Sequence, residues 1–193
     1  MIKENSTFGG AKSPITVVSS MTAWTSTWYQ VRQDKIILPD GSPGVFNVVE
    51  HPGAAWIIPV TKMGEVVLVR HYRYTVDDWC WEIPAGGIKD GLSLEETALA
   101  ELKEEVGGTA SAIQYVGQFY TSNGISDEVA HIYFATGVQI GEPDHEPAEV
   151  MEIHAIPIEK VLRMARENEI SDGPSALALL LCEAKLRKLI PPT

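Results

Sequence analysis

Apolar and polar positions along this chain sort into short strand-like runs, interrupted by one clearly capped helix and closed by a helical end. Trp28-Tyr29-Gln30-Val31-Arg32 and Lys35-Ile36-Ile37-Leu38 precede the turn Pro39-Asp40-Gly41-Ser42-Pro43-Gly44, and Val45-Phe46-Asn47-Val48-Val49 follows it. Ala54–Val60 and Glu65–Tyr74 are near-continuous apolar runs, the pattern of buried strands, with Lys62-Met63-Gly64 as the turn between them. Trp79–Ile83 is a short strand that ends at Pro84-Ala85-Gly86-Gly87. The clearest helix runs from Ser93 to about Val106. Ser93 stands three residues before Glu96, a capping-box spacing, and Gly107-Gly108 supplies the stop. Ala112–Phe119, Glu128–Val138 and Val150–Ile156 read as further strands, Gly141–Pro147 as an acidic loop, and Ile158–Asn168 and Pro174–Leu189 as helices. Residues 1–14 read as a loose lead-in. The order predicts a mixed sheet flanked by helices, an α+β chain of α/β/α layering with a small N-terminal antiparallel β extension.

Charge narrows the function. Fifteen basic residues against 26 acidic give a net charge of −11, which argues against a nucleic-acid surface. No apolar run approaches the roughly 18 residues of a membrane span, and Met1-Ile2-Lys3-Glu4-Asn5-Ser6 has no signal pattern. Cys80 and Cys182 fit no metal or redox spacing and read as free thiols of a cytoplasmic protein.

The helix carries the candidate chemistry. With Glu101 at the origin of a helical wheel, Glu104 lies about 60° to one side and Glu105 about 40° to the other, beside the apolar stripe of Ala98, Leu99, Leu102 and Val106. Like charges at these spacings repel, and partial burial strengthens the conflict. A hard divalent cation such as Mg²⁺ or Mn²⁺ resolves it, since such ions prefer oxygen ligands. The same spacing also suits a solvated acidic face with Lys103 nearby.

The stretch from Glu82 to Gly91, followed by Glu101-Leu102-Lys103-Glu104-Glu105-Val106-Gly107, resembles the Nudix hydrolase box. Counted from Gly86, that box is a Gly, five residues, a Glu, seven residues, then Arg-Glu-aliphatic-any-Glu-Glu-any-Gly-aliphatic. Leu92 stands where the box has its first Glu, Ala100 where it has Arg, and Gly108 where it has the last aliphatic residue. Five further segments, Val49–Ala54, Leu68–Tyr74, Trp81–Gly86, Tyr120–Glu128 and Glu149–Ile153, are similar in order to the ADP-ribose pyrophosphatase branch of that family.

The resemblance implies a Nudix domain over residues 51–193 and an N-terminal extension over 1–50 that joins two copies into a homodimer. It implies hydrolysis of a nucleoside diphosphate sugar, ADP-ribose first, to a nucleoside monophosphate and a sugar phosphate, with no nucleic acid or membrane partner. Glu101, Glu104, Glu105 and the carbonyl of Ala85 match the ligands of Mg²⁺, with Mn²⁺ possible. Glu104 is alternatively a base, and Arg73, with Arg70 beside it, matches a phosphate grip. Glu82 matches a substrate-side or metal-side carboxylate or serves as a buried structural one. Glu128 contacts the second sugar or caps a strand. The catalytic base is expected on the acidic loop, at Glu149 with Glu146 as the alternative. Trp28, with Trp24 and Tyr29, is placed to stack on a base or to fill an interface. GDP-mannose or another nucleotide sugar remains an alternative substrate. Leu92 and Ala100 leave open a ligand-binding domain with little hydrolysis. Leu92 is expected to hold the loop over residues 87–92 by apolar contacts.

Overall fold

The computed structural model describes residues 13–191, so almost all of the expected lead-in lies outside the described residues. The chain divides into two compact units: the stretch up to His51 together with Gly124–Asp127, and Pro52–Asn123 with the remainder.

The first unit is a three-stranded antiparallel sheet of β1 (Thr16–Thr25), β2 (Gln30–Ile37) and β3 (Pro43–Glu50), in that order. Strand β1 was not expected. It mixes Ser and Thr with Val, Met and Trp, and every residue in it is exposed, so it carries no burial pattern to read. The two runs expected between Trp28 and Leu38 are one strand. Gln33 and Asp34 continue the ladder between them: the Gln33 amide donates to Asn47 Oδ1 at 3.0 Å, and buried Asp34 accepts from Arg32 Nε at 2.9 Å. The Arg32 guanidinium also meets Glu50. Asp127 Oδ1 accepts the His51 N–H at 3.0 Å, which ties Gly124–Asp127 to the end of β3.

In the second unit, β4 (Ala54–Thr61) and β5 (Glu65–Arg73) meet at a tight turn where Gly64 adopts a φ of 75°. They pair only at Val60↔Val66 and then diverge. The chain returns to fill the wedge, as β6 (Asp78–Glu82) against the end of β5 and β7 (Ala85–Gly87) against the start of β4. The Pro84 carbonyl between them accepts the Ile57 N–H at 2.9 Å, and the Ile83 N–H donates to the buried Ser175 hydroxyl at 3.0 Å.

Helix α1 (Leu94–Val106) starts on the expected capping box, with both reciprocal bonds between Ser93 and Glu96 formed, and stops at Gly107 in the left-handed region (φ 61°). Strand β8 (Ala112–Tyr120) pairs antiparallel with β9 (Val129–Val138), which runs parallel to β4, while β10 (Met151–Pro157) lies along β5. The sheet order is β10-β5-β4-β9-β8. Helices α2 (Ile158–Arg166), α3 (Gly173–Leu181) and α4 (Glu183–Arg187) follow. The single helix expected over 174–189 is broken at Cys182, whose carbonyl accepts from both Lys185 and Leu186.

Alternate residues of β4 and β5 build two cores. Ala55, Ile57, Val67 and Val69 pack on Ala98, Leu102 and Val106 of α1. Ile58, Val60, Val66 and Leu68 pack on α2, α3 and α4 through Val161, Leu162, Leu179 and Leu186. Burial on both faces is why these strands read as continuous apolar runs. No described helix is long and apolar enough to cross a membrane.

Candidate active site

The site grows from the helix edge that the sequence singled out. Glu101 and Glu105, one turn apart on α1, keep 6% and 4% of their surface despite their charge. The wedge strands explain how they fit. The Glu101 carboxyl group lies against the backbone of Gly86, where a Cβ would stand 2.2 Å from its Cδ, so only glycine admits the carboxylate there. Glu105 Oε2 accepts the Ala85 N–H at 3.2 Å.

Burial raises the Glu105 carboxyl well above the usual carboxylate range. The charges of Glu101 and Glu149 raise it further, and the Ala85 N–H only partly offsets them. Burial raises Glu101 too, against the pull of Lys89. The Lys89 ammonium, on the loop after β7, lies 3.0 Å from Glu101 Oε1 and also hydrogen-bonds the half-exposed Glu104. Leu92 is exposed instead of pinning this loop, which is held by Lys89 and by the Ile88 N–H on the Gly53 carbonyl at 3.0 Å.

Arg73 and Glu82 form a bidentate pair beside this cluster, with Nε–Oε1 at 2.8 Å and Nη2–Oε2 at 2.5 Å. Burial outweighs the arginine and still raises the Glu82 carboxyl. A cavity of about 510 Å³, lined by Arg73, Asp78, Cys80, Glu82, Ser171 and Asp172 among others, opens on this pair, a size that suits a small ligand. A slightly larger cavity, about 560 Å³, lies along β10 and α2 at Trp81, His154 and Met164, away from the acidic cluster.

The acidic loop reaches the helix end. Asp144 N–H donates to the Glu104 carbonyl at 2.8 Å, and His145 Nε2 donates to that of Glu105 at 2.7 Å, satisfying two last-turn carbonyls of α1. Within the loop, the Glu146 N–H donates to Glu149 Oε2 at 2.8 Å. Glu149 is half-buried and its charge bears on Glu101 and Glu105, whereas Glu146 is exposed.

The structure therefore brings Ala85, Glu82, Glu101, Glu104, Glu105, Glu149 and Arg73 to one end of the α1 face. It does not bring Arg70 there. Arg70 points to the other face, over Trp79 and Trp81 and 3.6 Å from Glu152. Glu128 heads β9, where the Thr121 hydroxyl donates to it at 2.6 Å. Trp28 belongs to the first unit and is 68% exposed. Four contributors had no sequence signal: Lys89, Asp172, His145 and His71. Buried His71 of β5, flanked by Cys80 on β6 and Met151 on β10, is held near a pKa of about 4, first by burial and then by the Arg73 charge.

Among the described residues no three His, Cys, Asp or Glu groups form a ready metal cage, and the Lys89 ammonium gathers Glu101 and Glu104. The donor chemistry nevertheless fits a hard cation. It offers oxygen atoms only, and the Ala85 N–H leaves the crowded charge at Glu105 largely uncompensated.

Such a fold and such a carboxylate cluster define a helix-borne acidic site suited to a divalent cation and an anionic substrate. Comparison with known proteins gives the family. The NUDIX domain profile matches residues 50–177. The chain is 34% identical over 178 residues to the ADP-ribose pyrophosphatase of Mycobacterium tuberculosis (strain ATCC 25618 / H37Rv), covering 90% of this chain and 86% of that one. It is 32% identical over 154 residues to the ADP-ribose pyrophosphatase of Bacillus subtilis (strain 168), covering 79% and 83%. A solved structure titled "Crystal structure of ADP compounds hydrolase" shares the fold with a TM-score of 0.79 at 19% identity, over 93% of this chain and 98% of that one. The chain belongs to the Nudix hydrolase family.

Proposed function

We propose that this protein hydrolyses the diphosphate linkage of a nucleoside diphosphate sugar, with ADP-ribose as the principal substrate, giving AMP and ribose 5-phosphate in the presence of Mg²⁺ or Mn²⁺. The observation that carries this reading is the buried Glu101–Glu105 pair beneath Ala85 and Gly86, next to Arg73, in a chain more than 30% identical to two proteins named ADP-ribose pyrophosphatase.

Glu101, Glu104, Glu105 and the Ala85 carbonyl would hold the cation, which when bound draws charge from the phosphate oxygens and stabilises the leaving group. Glu149, half-buried beside Glu101 and Glu105, takes the proton of the attacking water. Glu146 is the alternative base, and Glu104 follows if neither loop residue serves. Glu82 fixes the Arg73 guanidinium with two hydrogen bonds and leaves its remaining N–H donors for a phosphate. Glu128 is assigned to the outer sugar and Trp28 to the base, while Arg70, which lies on the other face of the sheet, is given no part in the grip on phosphate. A second copy of the chain is the proposed partner of the N-terminal sheet, which exposes Val17, Val18, Met21, Trp24, Val45 and Phe46. The free thiols of Cys80 and Cys182 suit a reducing cytoplasm.

The test is chromatographic product analysis with ADP-ribose, GDP-mannose and other nucleotide sugars, each with Mg²⁺ and with Mn²⁺. AMP from ADP-ribose at the highest kcat/KM is expected. Preferential turnover of GDP-mannose would move the substrate assignment. Binding of nucleotide sugars with no turnover of any would replace the enzyme with a ligand-binding domain, as Leu92 and Ala100 allow.

A further inference from the structure

A single ammonium bridges two of the three box glutamates. Lys89 Nζ sits 3.0 Å from Glu101 Oε1 and hydrogen-bonds Glu104 Oε2, so one positive charge serves two carboxylates whose like charge would otherwise drive them apart. The two carboxylates differ: the Glu101 side chain is 7% exposed and that of Glu104 44%. The lysine reaches them from a surface loop. Its side chain is 37% exposed, and its carbonyl closes a turn by accepting the Leu92 N–H at 3.2 Å. Among the described residues its Nζ meets these two carboxylates.

We propose that Lys89 is a tethered counter-cation that occupies Glu101 and Glu104 in the metal-free protein and is displaced when a divalent cation enters, so that it sets the metal concentration at which the site fills. The inference rests on the reading of these glutamates as cation ligands. A divalent ion and an ammonium drawn to the same two carboxylates repel each other more strongly than a half-exposed ammonium is attracted to either. The pair gives way at the lysine, because a flexible four-carbon stem in contact with water loses little on leaving an exposed ion pair. The buried Glu101 carboxylate stays in place, held against the backbone of Gly86. Lys89 thereby holds Glu101 and Glu104 close together before the metal arrives and lowers the affinity of the site by competing for them. Glu105, which the lysine does not reach, is left to attract the incoming ion.

The test measures Mn²⁺ binding directly, by calorimetry or by loss of the free Mn²⁺ electron paramagnetic resonance signal, in wild type, Lys89→Met, Lys89→Arg and Glu105→Gln. Removing the charge while keeping an apolar stem (Lys89→Met) should tighten the Mn²⁺ Kd about tenfold and lower the melting temperature of the metal-free protein. Lys89→Arg, which keeps the charge, should stay within about twofold of wild type. Mass-spectrometric acetylation should show Lys89 reacting faster with Mn²⁺ bound than without. An unchanged or weakened Mn²⁺ affinity in Lys89→Met overturns the competition and leaves the hydrolase reading intact, as does a Lys89 acetylation rate that metal fails to raise. If wild type and Glu105→Gln both bind no Mn²⁺, the cation reading itself falls and takes this proposal with it.

Discussion

On the α2–α4 face of the sheet, Ile58, Val60, Val66 and Leu68 meet Val161, Leu162, Leu179 and Leu186, and no charged side chain is buried among them in the described residues. On the α1 face, the alternate residues Ile57, Val67 and Val69 meet Ala98 and Leu102 and, toward the wedge, give way to His71, Glu82, Glu101 and Glu105, all buried. The same strands thus build one face that only packs and one that also carries charge. Buried carboxylates with like-charged neighbours oppose folding. Such a site persists only where apolar packing elsewhere outweighs it, and here that packing is one strand residue away, on the reverse side. Substitutions on the two faces should accordingly separate activity from stability.

The largest effect is expected at the rim of the charged face. Glu149→Gln should lower kcat by roughly 10²–10⁴-fold with little change in KM or melting temperature, as for loss of a general base. If only Glu146→Gln does so, the base lies three residues earlier; if neither does, Glu104 is the next residue to replace.

The mirror experiment is Leu162→Ala on the packing face. It should cost about 2–5 kcal/mol of unfolding free energy, read from denaturant midpoints, because Leu162 is fully buried. Specific activity per folded molecule should be unchanged. A variant that lost activity in step with neither stability nor solubility would break the division of labour.

Acid should expose the charged face next. The pKa of His71 is depressed to about 4, so the folded protein disfavours the imidazolium. Its contribution is therefore intact above the unfolded value of about 6.5 and is lost as pH falls from there toward 4, a change of about 3 kcal/mol over that window. His71→Asn should flatten this part of the stability–pH curve. A wild-type curve that is already flat between pH 6.5 and 4 would contradict the buried neutral histidine.

The smallest effect is on the metal-free fold. Glu105→Gln removes a carboxylate that burial and two neighbouring charges disfavour, so the metal-free melting temperature should rise by up to roughly 4 °C. The rise that Mg²⁺ or Mn²⁺ gives the wild type should largely vanish. Equal metal-induced shifts in the two proteins would remove Glu105 from the ligand set.

What could be read in advance followed the same division. Strands buried on both faces announce themselves as apolar runs, and α1 was written in local rules: Ser93 and Glu96 at capping spacing, three glutamates on one edge, Gly107 at the stop. Strand β1 was not legible, since a fully exposed strand owes its register to hydrogen bonds with β2 and not to side-chain burial. The break at Cys182 and the placement of Arg70 on the far face depend on tertiary packing and on strand parity set by the wedge. Lys89 was hidden for a different reason. It is 12 residues before Glu101 in sequence, no periodicity links a loop lysine to a helix edge, and its reach depends on the turn it closes. The resemblance supplied the glutamates and Arg73 as a list, but not the fact that one of the three glutamates stands apart from the ammonium that gathers the other two.

The bond from the Ile83 N–H to the buried Ser175 hydroxyl also bears on the order of events during synthesis. It spans 92 positions, and it braces the wedge strands that place Ala85 and Gly86 against the helix carboxylates. A chain leaving the ribosome exposes α1 and its glutamates well before the segment that contributes Ser175 has been made. Contacts of such long separation form late, after the loop-closure entropy has been met. Until then the wedge strands that position Ala85 and Gly86 against the acidic helix edge lack this brace.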